Sequence, residues 1–166
     1  MQGLEKEFLD IIGANQGIIH KVCNIYCDHA EDRNDLFQEI LIQLWRSFPS
    51  FRNESKFTTW MYRVALNTAI TSFKKQRRQP GFSSLTGAIL QIADENSPTE
   101  TEEDLALLRK AVSQLSGIEK SVILLYLENK NYEEIAEITG ITQNYVRVKM
   151  NRIKKKLKLL MDSERE

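Results

Sequence analysis

Apolar residues recur every three or four positions along most of the chain, and only three prolines and seven glycines are available to interrupt them. That spacing places apolar side chains on one face of an α-helix, so the chain is committed to packing helix against helix. Residues 4–27 read as one amphipathic helix, with Leu4, Phe8, Ile11, Ile19, Val22 and Tyr26 on its apolar side. Gly13 and Gly17 weaken or bend its middle. A second helix runs from about Asp32 to Phe48, where Leu36, Ile40 and Leu44 line one ridge, Phe37, Leu41 and Trp45 lie beside them, and Pro49 stops the helix. A third, from about Lys56 to Arg78, turns Phe57, Trp60, Met61, Val64, Ala65 and Phe73 to one side. Three such helices can bury a common core of modest size.

Residues 79–104 break the rhythm. Pro80-Gly81, Ser83-Ser84 and Ser97-Pro98 punctuate a polar stretch with six acids and no base, which reads as a flexible acidic linker. Its middle, Leu85 to Ala93, is apolar enough to form a turn or to dock. Helical spacing resumes over Leu105–Leu115. Ser116 followed by Glu119 is a capping-box signature that opens the next helix, through Val122–Leu127. Asn131 with Glu134 repeats the cap logic for Tyr132–Thr139, Gly140 supplies a left-handed turn, and Thr142 caps a last helix reaching about Leu160. The expected fold is all-α: a helical domain over 1–78, the linker over 79–104, and a second helical domain over 105–166.

The second domain contains a helix-turn-helix pattern. Ile135 and Ile138 point inward and small Ala136 permits close approach, while Val146, Met150, Ile153 and Leu157 form the buried stripe of the last helix. Its other side presents Gln143, Asn144, Arg147, Asn151 and Arg152 together with lysines, and Gln143–Met161 holds seven bases and no acid. Such a face can enter a major groove while its basic end meets phosphates. A solvated outer face of a small bundle has the same composition. The formal net charge of zero conceals this patch and a second one, Lys74-Lys75-Gln76-Arg77-Arg78. Fields act over roughly 8–10 Å at ordinary salt, so local patches outweigh the total.

Three features of the first domain narrow the class. They are Asp35-Leu-Phe-Gln38-Glu39 on the second helix, Phe57-Thr-Thr-Trp60-Met61, and Arg63-Val-Ala65-Leu-Asn67. In this order they resemble the extracytoplasmic-function sigma factors, which carry Asp-x-x-Gln-Glu, Phe-x-x-Trp-Leu and Arg-x-Ala-x-Asn. The likeness covers about Phe8–Arg78 and Leu105–Leu160. It implies a subunit that binds bacterial core RNA polymerase and directs it to promoter DNA, with the all-α two-domain fold described above.

By the same resemblance, Asp35, Gln38 and Glu39 grip the polymerase. Asn53, Glu54, Ser55 and Lys56 form the loop that holds a flipped base of the minus-ten element, and opening the duplex requires such pockets to offset lost pairing. Phe57, Trp60 and Tyr62 are the nearby aromatics, although at its spacing with Phe57, Met61 and Val64 a residue such as Trp60 is more often core. Arg63, Asn67, Lys74, Lys75, Arg77 and Arg78 track phosphates or duplex edges. Lys74–Arg78 can also be read as cations complementing a helix end. Gln143, Asn144, Arg147, Val148, Asn151, Arg152 and Lys154 fall where the family reads the minus-thirty-five element. Val148 stands where serine is common and Tyr145 where threonine is, so the resemblance implies the docking mode but does not fix the sequence read. The resemblance further implies an anti-sigma factor as partner, and a linker that threads the polymerase's RNA exit path. Composition alone makes that linker a plain tether.

Other classes find less support. No apolar run approaches the ~18 residues of a membrane span. Glu5, Glu7 and Asp10 leave no signal-peptide pattern at the start, so the expected location is cytoplasmic. No Gly-rich phosphate loop, nucleophile elbow or catalytic acid pair is present, and no enzyme activity, cofactor or small-molecule substrate is expected. His20, Cys23 and Cys27 share a flank of the first helix, yet a fourth metal ligand is lacking unless His29 folds back, and buried small residues are the simpler reading. The rival function is an autonomous helix-turn-helix regulator, which explains 105–160 and leaves Asp35–Arg78 without work.

Overall fold

The computed structural model describes residues 2–51, 53–77 and 100–165; the side chains of Arg77, Glu100 and Thr101 are not considered. Its elements are α1 (Gln2–Ala14), α2 (Gln16–Tyr26), α3 (Ala30–Ser47), a 3₁₀ turn (Phe48–Ser50), α4 (Phe57–Arg77), α5 (Glu100–Ser113), α6 (Gly117–Leu127), α7 (Tyr132–Thr139) and α8 (Gln143–Arg165). No strand occurs among the described residues. The chain is all-α, as its periodicity requires.

The first expected helix is two helices. The backbone breaks at Asn15, whose φ of −125° and ψ of 21° are not helical, and its side-chain amide donates to the Ile11 carbonyl at 2.8 Å. Gly13 and Gly17 flank the break, and Asn competes for backbone groups that a helix would use. As a result Ile12 rather than Ile11 enters the core, and Leu4 stays 38% exposed. Pro49 does not end α3 abruptly, because it sits in the 3₁₀ turn, where its missing N–H costs nothing.

At the other end of the unassigned stretch, α5 begins at Glu100, so residues 100–104 are helical and not linker. Glu102, Glu103 and Asp104 belong to its first turns, where acids favour the positive end of the helix dipole. The rest of the expected linker, 79–99, and Arg78 lie outside the described residues. The cap signals hold in detail. Ser116 Oγ accepts from the Glu119 amide at 3.3 Å while Glu119 Oε1 accepts from the Ser116 amide at 2.8 Å. Asn131 Oδ1 accepts from the Glu134 amide at 2.8 Å, Gly140 adopts φ 79°, and Thr142 Oγ1 accepts from the Tyr145 amide at 3.1 Å. The last helix runs to Arg165, five residues past the expected end, aided by ion pairs from Arg165 to Asp104 and from Lys110 to Glu164.

Helices α2, α3 and α4 pack around Ile19, Val22, Ile40, Leu44, Met61 and Ala65. Helices α5 to α8 enclose Leu115, Val122, Leu125, Ile135, Val146, Met150 and Ile153. These two bundles also pack on each other, through α2 and α4 on one side and α6 and α7 on the other. The apolar core is therefore continuous through both.

Candidate functional site

Helix α3 leaves one stripe in solvent. Asp35, Gln38, Glu39 and Arg46 are all exposed, and at 100° per residue they share a face with Ile42. Ile42 is 45% exposed, and Trp45 and Leu9 beside it are 40% and 59% exposed. An apolar groove lined by Phe8, Leu9, Ile12, Leu41, Ile42 and Trp45 thus adjoins the polar residues. Sequence reading missed this apolar centre. Its signal was Ile42, an isoleucine set among Asp35, Gln38, Glu39 and Arg46 at helical spacing. An apolar patch inside a polar rim is the composition of a protein-binding surface.

The loop before α4 turns at Asn53, which adopts a left-handed φ of 57°. Asn53, Glu54 and Lys56 are exposed and Ser55 is half-buried. Behind the loop lies an aromatic cluster: Trp60 sits 5.0 Å from Phe51, 5.2 Å from Phe57 and 6.2 Å from Phe48, centroid to centroid. Trp60 is half-buried, so it braces the loop and keeps part of its ring accessible. Tyr62 is not available for stacking. It is 4% exposed, its ring lies 5.8 Å from the Lys130 ammonium, and burial, with Glu128 adding, pushes its hydroxyl up to about 12.

Along α4, Trp60, Arg63, Asn67, Thr71 and Lys74 occupy one stripe. Asn67, Lys74 and Lys75 are exposed. Arg63 is exposed but engaged, since its Nε and Nη2 donate to the Glu137 carbonyl at 3.0 and 2.8 Å. Arg77 ends α4, and Arg78 lies outside the described residues.

Helix α8 is seated by Val146, Met150, Ile153 and Leu157, which leaves Gln143, Asn144, Arg147, Asn151 and Arg152 exposed and Val148 half-buried. Arg147 Nη2 donates to Asn144 Oδ1 at 2.5 Å, and with Gln143 and Tyr132 they line a hollow at the start of the helix. The basic face is not uniformly free. Lys154 lies 4.9 Å from the Tyr126 ring, Lys149 lies 5.3 Å from the Tyr145 ring, and Lys156 pairs with Glu119 at 3.2 Å. Each of these three lysines is therefore engaged within the protein.

Cys23 and Cys27 are both buried free thiols. Burial raises Cys23 to about 11 and Cys27 to about 12, which disfavours the thiolate form of both. His20 stacks on Phe37 at 4.8 Å instead of approaching them.

Two family descriptions match the chain: Sigma-70 region 2 over residues 11–79, and Sigma-70, region 4 over residues 105–157. The ECF RNA polymerase sigma-E factor of Escherichia coli (strain K12) is 30% identical over 146 residues, covering 80% of this chain and 76% of that protein. That of Haemophilus influenzae is 30% identical over 162 residues, covering 91% and 85%. Among solved structures, the sigma factor RpoE in complex with the anti-sigma factor NepR from Bartonella quintana matches with TM-score 0.64 at 20% identity, covering 98% of each chain. CnrH in complex with the cytosolic domain of CnrY matches with TM-score 0.68 at 18% identity, covering 96% of this chain and 90% of that one.

Proposed function

The chain belongs to the sigma-70 family, in its extracytoplasmic-function branch, and on that premise we propose how its surfaces divide the work of an alternative sigma factor. The α3 stripe of Asp35, Gln38, Glu39 and Ile42 docks on a basic helical part of core RNA polymerase. Apolar contact around Ile42 supplies affinity, and the acids supply orientation and a faster encounter. The Asn53–Lys56 loop, Trp60 and the α4 stripe take the unpaired minus-ten strand. The α8 stripe of Gln143, Asn144, Arg147, Val148 and Asn151 reads the minus-thirty-five duplex, with Arg152 and Lys154 near phosphates.

The observation that carries this reading is the coexistence, in one chain, of a recognition helix and a polar-rimmed apolar face on a different bundle. An autonomous regulator has no use for the second. Tight promoter binding arises once polymerase fixes both bundles, because the second contact then becomes intramolecular. The protein works by holding the open strand better than the closed duplex, and performs no covalent chemistry. No described helix is long and apolar enough to cross a membrane, in keeping with a cytoplasmic site of action. An anti-sigma factor is the expected regulator, as in the complex of the sigma factor RpoE with the anti-sigma factor NepR that the fold matches.

Multi-round transcription with bacterial core polymerase on fragmented genomic DNA of the source organism tests the function. New start sites that require the protein establish it and reveal both promoter elements. No new transcripts from active core, with no co-purification with that core, overturn it.

A further inference from the structure

Arg147 is held differently from the lysines that follow it on α8. Lys149 and Lys154 lie against the Tyr145 and Tyr126 rings, and Lys156 pairs with Glu119. No ion pair among the described residues involves Arg147. It is held instead by a neutral amide, since Asn144 Oδ1 accepts from its Nη2 at 2.5 Å. The difference matters electrostatically. A carboxylate would cancel the cation's field and compete with any acceptor that approaches it. An amide oxygen fixes the orientation of the guanidinium and leaves its charge intact. One hydrogen of Nη2 is spent on Asn144, and the rest of the N–H fork stays available.

Local structure explains why Asn144 is free for this work. An asparagine at the start of a helix ordinarily bonds backbone amides. Here Thr142 Oγ1 accepts from the Tyr145 amide at 3.1 Å and supplies the cap. The Asn144 side chain turns instead along the helix, toward the residue three positions on. Arg147 is in turn fixed at its root, since Val146 before it and Met150 after it are 0% exposed. Both polar side chains are exposed and line, with Gln143 and Tyr132, the hollow at the start of α8. The first turns of a recognition helix are the part that meets base edges in the major groove. There the commonest specific contact of an arginine is a bidentate bond to O6 and N7 of guanine, and the guanidinium plane must be aligned to make both bonds.

We propose that Asn144 is a positioning residue: it holds the Arg147 guanidinium aligned for the O6 and N7 edge of a guanine, and touches no base itself. The proposal rests on the minus-thirty-five role assigned above to α8, and it narrows the part that Asn144 plays there. Without the amide, Arg147 spreads over its staggered rotamers, and only a fraction of the protein presents the aligned fork. Apparent affinity falls by that fraction, although no contact to DNA has been removed.

Binding of the full chain, assembled with core polymerase, to promoter fragments tests it. The fragments carry the minus-thirty-five element that the transcription experiment defines, and every single base-pair change within it. Arg147→Ala should weaken binding to the unaltered element about tenfold or more and abolish discrimination at one G·C pair. Asn144→Ala should weaken it about three- to tenfold, with discrimination reduced at that same pair and at no other. In the Arg147→Ala background, Asn144→Ala should cost less than about twofold, because nothing remains for it to orient. Both residues are exposed, so the variants should keep the fold, which helical circular dichroism checks. An equal cost of Asn144→Ala with and without Arg147 overturns the proposal and makes Asn144 a DNA contact in its own right. So does loss of discrimination at a different pair, or an Asn144→Ala variant that binds like the wild type. Arg147→Ala weakening every sequence alike places Arg147 on phosphate and overturns it too. A wild-type complex indifferent to every change in the element removes the minus-thirty-five reading of α8 itself, and the proposal with it.

Discussion

Gly140 carries a backbone demand that no other side chain meets freely. Its φ of 79° is left-handed, and nothing lies within 4 Å of where a Cβ would stand. Gly140→Ala should therefore cost about 1 kcal/mol through backbone strain alone, and Gly140→Asn less, because Asn tolerates that region. Urea unfolding of the two variants measures the difference; equal costs would place the cause elsewhere. Glu119 makes a different demand. Burial alone would raise its carboxyl, but the Ser116 amide and hydroxyl and the Lys156 ammonium outweigh it and hold the group below the ordinary carboxylate value. A folded value below the unfolded one means that ionisation stabilises the fold. That stabilisation is complete above the ordinary value and is lost as pH falls through the depressed one. Glu119→Gln keeps a cap acceptor yet cannot titrate, so its stability should fall less on acidification than the wild type's. Parallel acid profiles for the two proteins would exclude Glu119 as the source. Both residues were legible in the sequence, because caps and turns are decided within four residues.

At the scale of an element, sequence reading succeeded where one face of a helix decides its fate and faltered where two facts compete. The α8 stripe from Val146 to Leu157 and the α7 pair Ile135 and Ile138 follow from spacing alone, and they are buried as spacing requires. The break at Asn15 was foreshadowed by Gly13 and Gly17, but periodicity carried across it unchanged. Helix α5 starts before its apolar stripe, so a reading keyed to Leu105 placed its first turn in the linker. On α3 the polar residues were picked by resemblance, and the apolar centre was passed over, since a pattern search treats isoleucine as core. That omission yields a prediction. Ile42→Asp removes an exposed apolar group, so stability should change by no more than about 0.5 kcal/mol. Affinity for core polymerase should fall about tenfold or more if Ile42 anchors the contact. Unchanged affinity in a fluorescence anisotropy titration, with helicity intact, would remove Ile42 from the docking face.

What the whole molecule does was least legible, because contacts between residues some ninety positions apart leave no local trace. Lys120 looks like any solvated lysine in a helix, and Tyr26 like the end of an apolar stripe. Only the fold reveals that Lys120 and the Gly117 carbonyl of α6 meet the end of α2. Burying a lysine is costly unless its donors are satisfied and its stem packs on apolar surface. That price is recovered only while the bundles touch, so their stabilities must be coupled. Both tryptophans, Trp45 and Trp60, lie in the first bundle, whereas helical circular dichroism reports both bundles. With the bundles packed on each other, urea should give one transition that coincides by fluorescence and by circular dichroism, the mark of a single cooperative unit. A Cβ at Gly117 would stand 3.4 Å from Phe73 and 3.6 Å from Ile70 of α4, so Gly117→Leu should wedge the bundles apart, let each unfold at its own midpoint and separate the two curves. Separate curves already in the wild type would mean that the bundles unfold independently and that the buried contacts contribute little. Coincident curves in both proteins would mean that the wedge leaves the bundles coupled, and that Gly117 does not control their contact.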